Sequence, residues 1–178
     1  MDIKPIETVY NGYRFRSRLE ARWAVFFDEM GIKYEYEPEG YVLPDGSKYL
    51  PDFRLLNVRH RSYDDEWEPV YVEVKGIMSP YDKKRIKQFP RPLIVLGSLP
   101  ANCDECFDKH YETCGVFYSF SYMDNDNYPA VFSVHKGIPW IAGPQHDEFD
   151  GGFTMDKALL KARQARFEHG ETPTGGIR

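Results

Sequence analysis

At 178 residues, with 42% hydrophobic and 29% charged side chains, the chain has the make-up of one compact soluble domain and not of a disordered polymer. A formal net charge of −5 argues against a generic polyanion binder, and three cysteines are too few for a secreted disulfide scaffold, so a cytoplasmic setting is expected. The longest apolar runs, at 23–27 and 93–96, are far too short to span a bilayer, and the opening MDIKPIETVY holds no apolar signal core.

In chain order, the first predicted helix opens at Ser17, an N-cap residue, and stops at Gly31. Between them Leu19, Trp23, Phe26 and Met30 recur at helical spacing and mark an apolar face. Ile32, Tyr34 and Tyr36 then alternate with Lys33, Glu35 and Glu37, the pattern of a half-buried strand. Pro44-Asp45-Gly46 is a turn signal, residues 48–56 read as the returning strand, and 57–69 read as a polar loop. Val70, Val72 and Val74 alternate with Tyr71, Glu73 and Lys75 as a third strand. Ser79-Pro80 opens a short helix reaching about Gln88, with proline at its first position.

The run PLIVL at 92–96 predicts a strand buried on both faces, and a helical crossover makes it parallel to the third strand. Beyond a cysteine-bearing segment come two strand candidates, 116–122 and 130–135, joined by the turn MDNDNYP. A last helix is expected from Thr154 to His169, and residues 171–178 read as a disordered tail. The expected architecture is α/β: helix, three strands, helix, strand, with a C-terminal strand pair and helix. It forms one domain over 1–170, with its core at about 13–97 and an extension at 98–170.

The sharpest chemical signal is Pro51-Asp52 followed, twenty residues on, by Glu73-Val74-Lys75. Residues two apart in a strand share a face, so Glu73 and Lys75 project together while Val72 and Val74 face the core. Asp52 sits on the neighbouring strand candidate beside Pro51, and if these strands pair, two carboxylates and an ammonium converge on one sheet face. Close carboxylates repel, and a divalent cation between them relieves the repulsion. A solvated surface salt bridge is the plainer reading of the same residues.

The pattern PD at 51–52 with EVK at 73–75, together with the order of elements, resembles the PD-(D/E)XK nuclease superfamily of restriction-endonuclease-like fold. The stretch from Tyr13 to Phe53 is also similar to small nuclease-like proteins of phages and mobile elements. The resemblance implies a Mg²⁺-dependent deoxyribonuclease, with Mn²⁺ as a substitute ion. Asp52 and Glu73 would hold the metal and Lys75 would position or deprotonate the attacking water. A helix carboxylate often completes the site in that family, and Glu20 is the residue here that matches. Ser17-x-x-Glu20 is equally a helix capping box, so both roles stand for Glu20. The family's Gln-x-x-x-Tyr exonuclease pattern is absent, although Gln88 stands near its place.

Two basic clusters could meet DNA phosphates, one around Arg16 and Arg18 and one at Lys83, Lys84 and Lys87; solvated helix faces are their plainer reading. A second metal candidate is Cys103-x2-Cys106-x3-His110-x3-Cys114, four ligand types that suit tetrahedral Zn²⁺, or else a helix carrying them at one face. The expected partners are DNA, no membrane, and either a homodimer or a larger phage or mobile-element complex in the host cytoplasm. Two other functions compete: a catalytically inactive nucleic-acid-binding module on the same fold, and a zinc-stabilised interaction protein.

Overall fold

A computed structural model describes residues 6–60, 69–100, 116–120, 127–128, 131–135, 138–142 and 152–167. The zinc candidates Cys103, Cys106, His110 and Cys114 and the tail at 171–178 lie outside them.

The chain begins with a hairpin that the pattern reading did not anticipate, β1 (Thr8–Tyr10) and β2 (Tyr13–Phe15). Its two-residue turn, Asn11-Gly12, has φ of +47° and +82°, the left-handed values that match the strand twist. Helix α1 (Arg18–Glu29) follows, with Ser17 Oγ accepting the Glu20 N–H at the N-cap. It ends in a Schellman pair: the Ile32 N–H donates to Phe27 O and the Gly31 N–H to Asp28 O, with Gly31 at φ +68°.

Next come β3 (Tyr34–Tyr36), β4 (Tyr41–Val42), β5 (Lys48–Tyr49), β6 (Phe53–Leu55), β7 (Arg59–His60) and β8 (Val70–Val74). The single strand expected at 48–56 is therefore two. β5 pairs with β4 in a small hairpin, while β6 joins the main sheet between β3 and β8. Pro51, which has no N–H to give a ladder, falls in the break. The loop expected at 57–69 likewise contains β7.

Helix α2 (Pro80–Ile86) starts with a true capping box, Ser79 with Asp82, and proline at its first position. It crosses over to β9 (Leu93–Leu96), which runs parallel to β8, as the helical crossover predicted. Beyond lie β10 (Val116–Phe120), β11 (Asn127–Tyr128), β12 (Val131–His135), β13 (Ile138–Ala142) and helix α3 (Gly152–Gln164). The C-terminal strands do not form the expected pair. β10 joins β9 in the main sheet, whereas β12 pairs with β13, and β13 pairs with β7.

The fold is thus mixed α/β with a six-stranded mixed sheet, ordered β11-β10-β9-β8-β6-β3. Both faces of its centre are covered, so β8 and β9 are buried along their whole lengths. Val72, Val74, Ile94 and Leu96 pack with Trp23 and Phe27 of α1, while Tyr71, Leu93 and Val95 pack with Ile86 and Phe89 of the α2 side. Helix α1 is more buried than an amphipathic stripe requires: Ala21, Ala24, Val25 and Phe27 are covered as well. The reason is α3, whose Met155, Leu159 and Ala162 join the same core. Trp23 Nε1 donates to Gly97 O at 2.8 Å and ties α1 to the end of β9. Among the described residues no helix is long and apolar enough to cross a membrane.

Candidate functional site

The site forms where β6 begins and β8 ends. In the antiparallel register Phe53 faces Val72, so one further step brings Asp52 level with Glu73. Asp52 and Glu73 are only 2% and 4% exposed. Each is anchored by a backbone or tyrosine donor and by one cation. Asp52 Oδ2 accepts the Val74 N–H at 2.6 Å, and Oδ1 lies 2.5 Å from Arg16 Nη2. Glu73 Oε2 accepts the Tyr49 hydroxyl proton at 2.8 Å, and Oε1 lies 2.8 Å from Lys75 Nζ. Lys75 also stands 3.8 Å from Asp82 Oδ1, on the first turn of α2.

The electrostatics follow from that burial. Loss of solvent, Glu73 and Glu20 push the Asp52 carboxyl up to about 8, against the pull of the Val74 N–H and Arg16. Burial works against the Lys75 ammonium, but Glu73 beside it outweighs that and raises its pKa, so Lys75 is charged at neutral pH. Tyr49 is held protonated by burial and by Glu73.

Glu20, 7% exposed, belongs to the same field, but both its oxygens are already engaged. Oε1 accepts the Ser17 hydroxyl proton at 2.7 Å, and Oε2 accepts the Tyr36 hydroxyl proton at 2.6 Å and the Arg16 N–H at 3.1 Å. The capping contact expected to the Ser17 N–H is thus made one residue earlier, at Arg16. Among the described residues no group of three or more His, Cys, Asp or Glu is arranged to hold a metal ion. The donor chemistry fits a hard divalent cation at Asp52 and Glu73, two buried oxygen donors whose charges repel.

The basic candidates divide. Arg16 reaches the carboxylates, whereas Lys83, Lys84 and Lys87 are exposed along α2 and Arg18 is half-buried at the start of α1. Arg85 lies over the rings of Tyr49 and Tyr81, 5.2 and 5.5 Å from their centroids. Gln88 is a brace: its side chain donates to Asp45 Oδ2 at 3.0 Å and accepts the Asp45 N–H at 3.2 Å, holding α2 to the β4–β5 turn. Tyr36, Tyr49 and the Arg16–Asp52 contact escaped the pattern reading, because no local spacing encodes meetings between separate elements. No family model, curated protein or solved structure matches the chain.

Proposed function

We propose that the chain is a divalent-metal-dependent deoxyribonuclease of the PD-(D/E)XK type, with α1, β3, β6, β8, α2 and β9 as a restriction-endonuclease-like core. The observation that carries this reading is the buried pair Asp52 and Glu73 at adjoining strand ends, with the Lys75 ammonium 2.8 Å from Glu73. Burying two carboxylates side by side costs several kcal/mol or more unless cations compensate them, and the site supplies Arg16 and Lys75 to do so. Asp52 and Glu73 would hold Mg²⁺ or Mn²⁺ through hard oxygen ligands, with Glu20 as a third carboxylate. Such an ion, when bound, polarises the scissile phosphate and acidifies water.

The chain's own groups supply the rest. Lys75, 2.8 Å from Glu73, would position or deprotonate the attacking water and, as an ammonium, offset the negative charge that grows on the phosphate oxygens. Tyr49 and the Val74 N–H fix the two carboxylates in place. Lys83, Lys84 and Lys87 would grip the DNA backbone without reading sequence. A host cytoplasm and a phage or mobile-element assembly belong to the same proposal.

A second reading has an observation in its favour. Arg16 and Lys75 already neutralise the two carboxylates, which would suit a non-catalytic DNA-binding module. The decisive assay offers supercoiled, linear and single-stranded DNA to metal-stripped protein, then titrates Mg²⁺. Cleavage that appears only with Mg²⁺ and vanishes in Asp52→Ala and Glu73→Ala is the expected result. DNA binding without cleavage at any Mg²⁺ concentration would favour the second reading, and wild-type cutting by both variants would sink the site assignment.

A further inference from the structure

Arg16 lies in the connection between β2 and α1, and its backbone is held fast. Its N–H is shared between the Tyr36 hydroxyl at 3.0 Å and Glu20 Oε2 at 3.1 Å. Its side chain is 55% exposed, yet its tip reaches the 3%-exposed side chain of Asp52 through Nη2 at 2.5 Å. Its Nε is 2.8 Å from Glu37 Oε1, at the outer rim. Asp52 Oδ2 is occupied by the Val74 N–H, so Oδ1 is the oxygen left for a cation, and the guanidinium stands on it. A side chain fixed at its root, solvated along its stem and seated on a carboxylate can swing without disturbing the fold.

We propose that Arg16 is a substrate-positioning residue that serves as the resident counter-cation of Asp52 until a divalent ion takes Oδ1, and then turns to a DNA phosphate. The inference rests on the nuclease reading above. Two cations on one carboxylate oxygen repel at contact distance, so the ion and the guanidinium exclude each other. The apparent affinity for the ion is therefore lowered by the fraction of molecules in which Arg16 is seated. Once displaced, the guanidinium stays tethered beside the site, and its planar pair of N–H groups matches phosphate oxygens. Glu37 keeps it near the rim. Metal binding and DNA retention are thereby coupled through one side chain, and DNA is gripped at the site only when the ion is present.

The test is Mn²⁺ titration of metal-stripped, DNA-free protein followed by electron paramagnetic resonance. It compares the wild type with Arg16→Met, Arg16→Gln, Asp52→Asn and Lys161→Met, the last removing a positive charge on α3. The two Arg16 variants should bind Mn²⁺ about tenfold more tightly than wild type, Asp52→Asn more weakly, and Lys161→Met like wild type. Fluorescence anisotropy of a short DNA duplex with Ca²⁺ in place of Mg²⁺ gives the other half. Ca²⁺ should tighten DNA binding by the wild type and lose that effect in the Arg16 variants. If Arg16→Met misfolds by circular dichroism, Arg16→Gln decides. Equal or weaker Mn²⁺ binding by the folded Arg16 variants, with Asp52→Asn still impaired, overturns this inference and spares the nuclease site. Mn²⁺ binding that ignores Asp52 overturns both.

Discussion

Burial, Glu73 and Glu20 carry the Asp52 carboxyl from an ordinary value near 4 up to about 8, and the sign of that shift has a measurable consequence. In the pH range above the ordinary carboxylate value the folded protein binds more proton at Asp52 than the unfolded chain does. The stability this group contributes is therefore complete at acid pH, falls as pH rises through that range, and is gone once the folded carboxyl too has ionised. A divalent ion at Asp52 competes with that proton. The rise in melting temperature produced by saturating Mg²⁺ should accordingly be larger near pH 8.5 than near pH 6. An equal rise at both would show that the ion does not bind at Asp52. Glu20 can be tested in the same spirit, because glutamine can still accept from Tyr36 and Arg16 while its amide donates to Ser17 Oγ. Glu20→Gln should change stability by about 1 kcal/mol or less, while Mg²⁺-dependent cleavage drops steeply. Full cleavage in that variant would leave Glu20 a capping residue only.

Elements were legible where their signals are local. Ser17 and Gly31 bound α1 because caps are made by residues within one turn, and Ser79-Pro80 opened α2 for the same reason. Gly31→Ala should cost about 1–2 kcal/mol, visible as a lower denaturation midpoint. An added Cβ meets nothing within 4 Å, so the penalty is that of the left-handed backbone alone. An unchanged midpoint would contradict the C-cap geometry. The Asn11-Gly12 hairpin signal was present in the sequence, but three-residue strands on either side carry too few alternating positions to stand out. β7 and β13 were illegible for different reasons: the two residues of β7 carry no period, and Pro139 argues against the strand that β13 forms in a hairpin with β12. At the site, Asp52 with Glu73 and Lys75 could be read from two short motifs. Glu20's engagement with Tyr36, and Arg16's with Asp52, could not, because each joins groups that meet only once the elements pack.

On the scale of the whole molecule, the segment carrying the motifs owns the smaller of its two cores and shares the larger one with the C-terminal elements. Phe132, Ile141, Met155 and Leu159 lie in one cluster with Trp23, Phe26 and Phe27, and Phe26 meets Phe132 edge-on at 5.4 Å. A fragment ending at Gly97 would expose that side of α1 and should show no cooperative thermal transition, even though it retains Asp52, Glu73 and Lys75. A sharp melt of the fragment by circular dichroism would refute this. The parallel pairing of Arg59 and His60 with Trp140 and Ile141 carries the dependence into time. A ribosome releases β7 about 80 residues before it releases the strand that pins it. Contacts so distant along the chain form slowly, in milliseconds to seconds where local ones take microseconds. β7, which lies between the two site strands in sequence, must therefore wait unpaired for the far end of its own chain to be made.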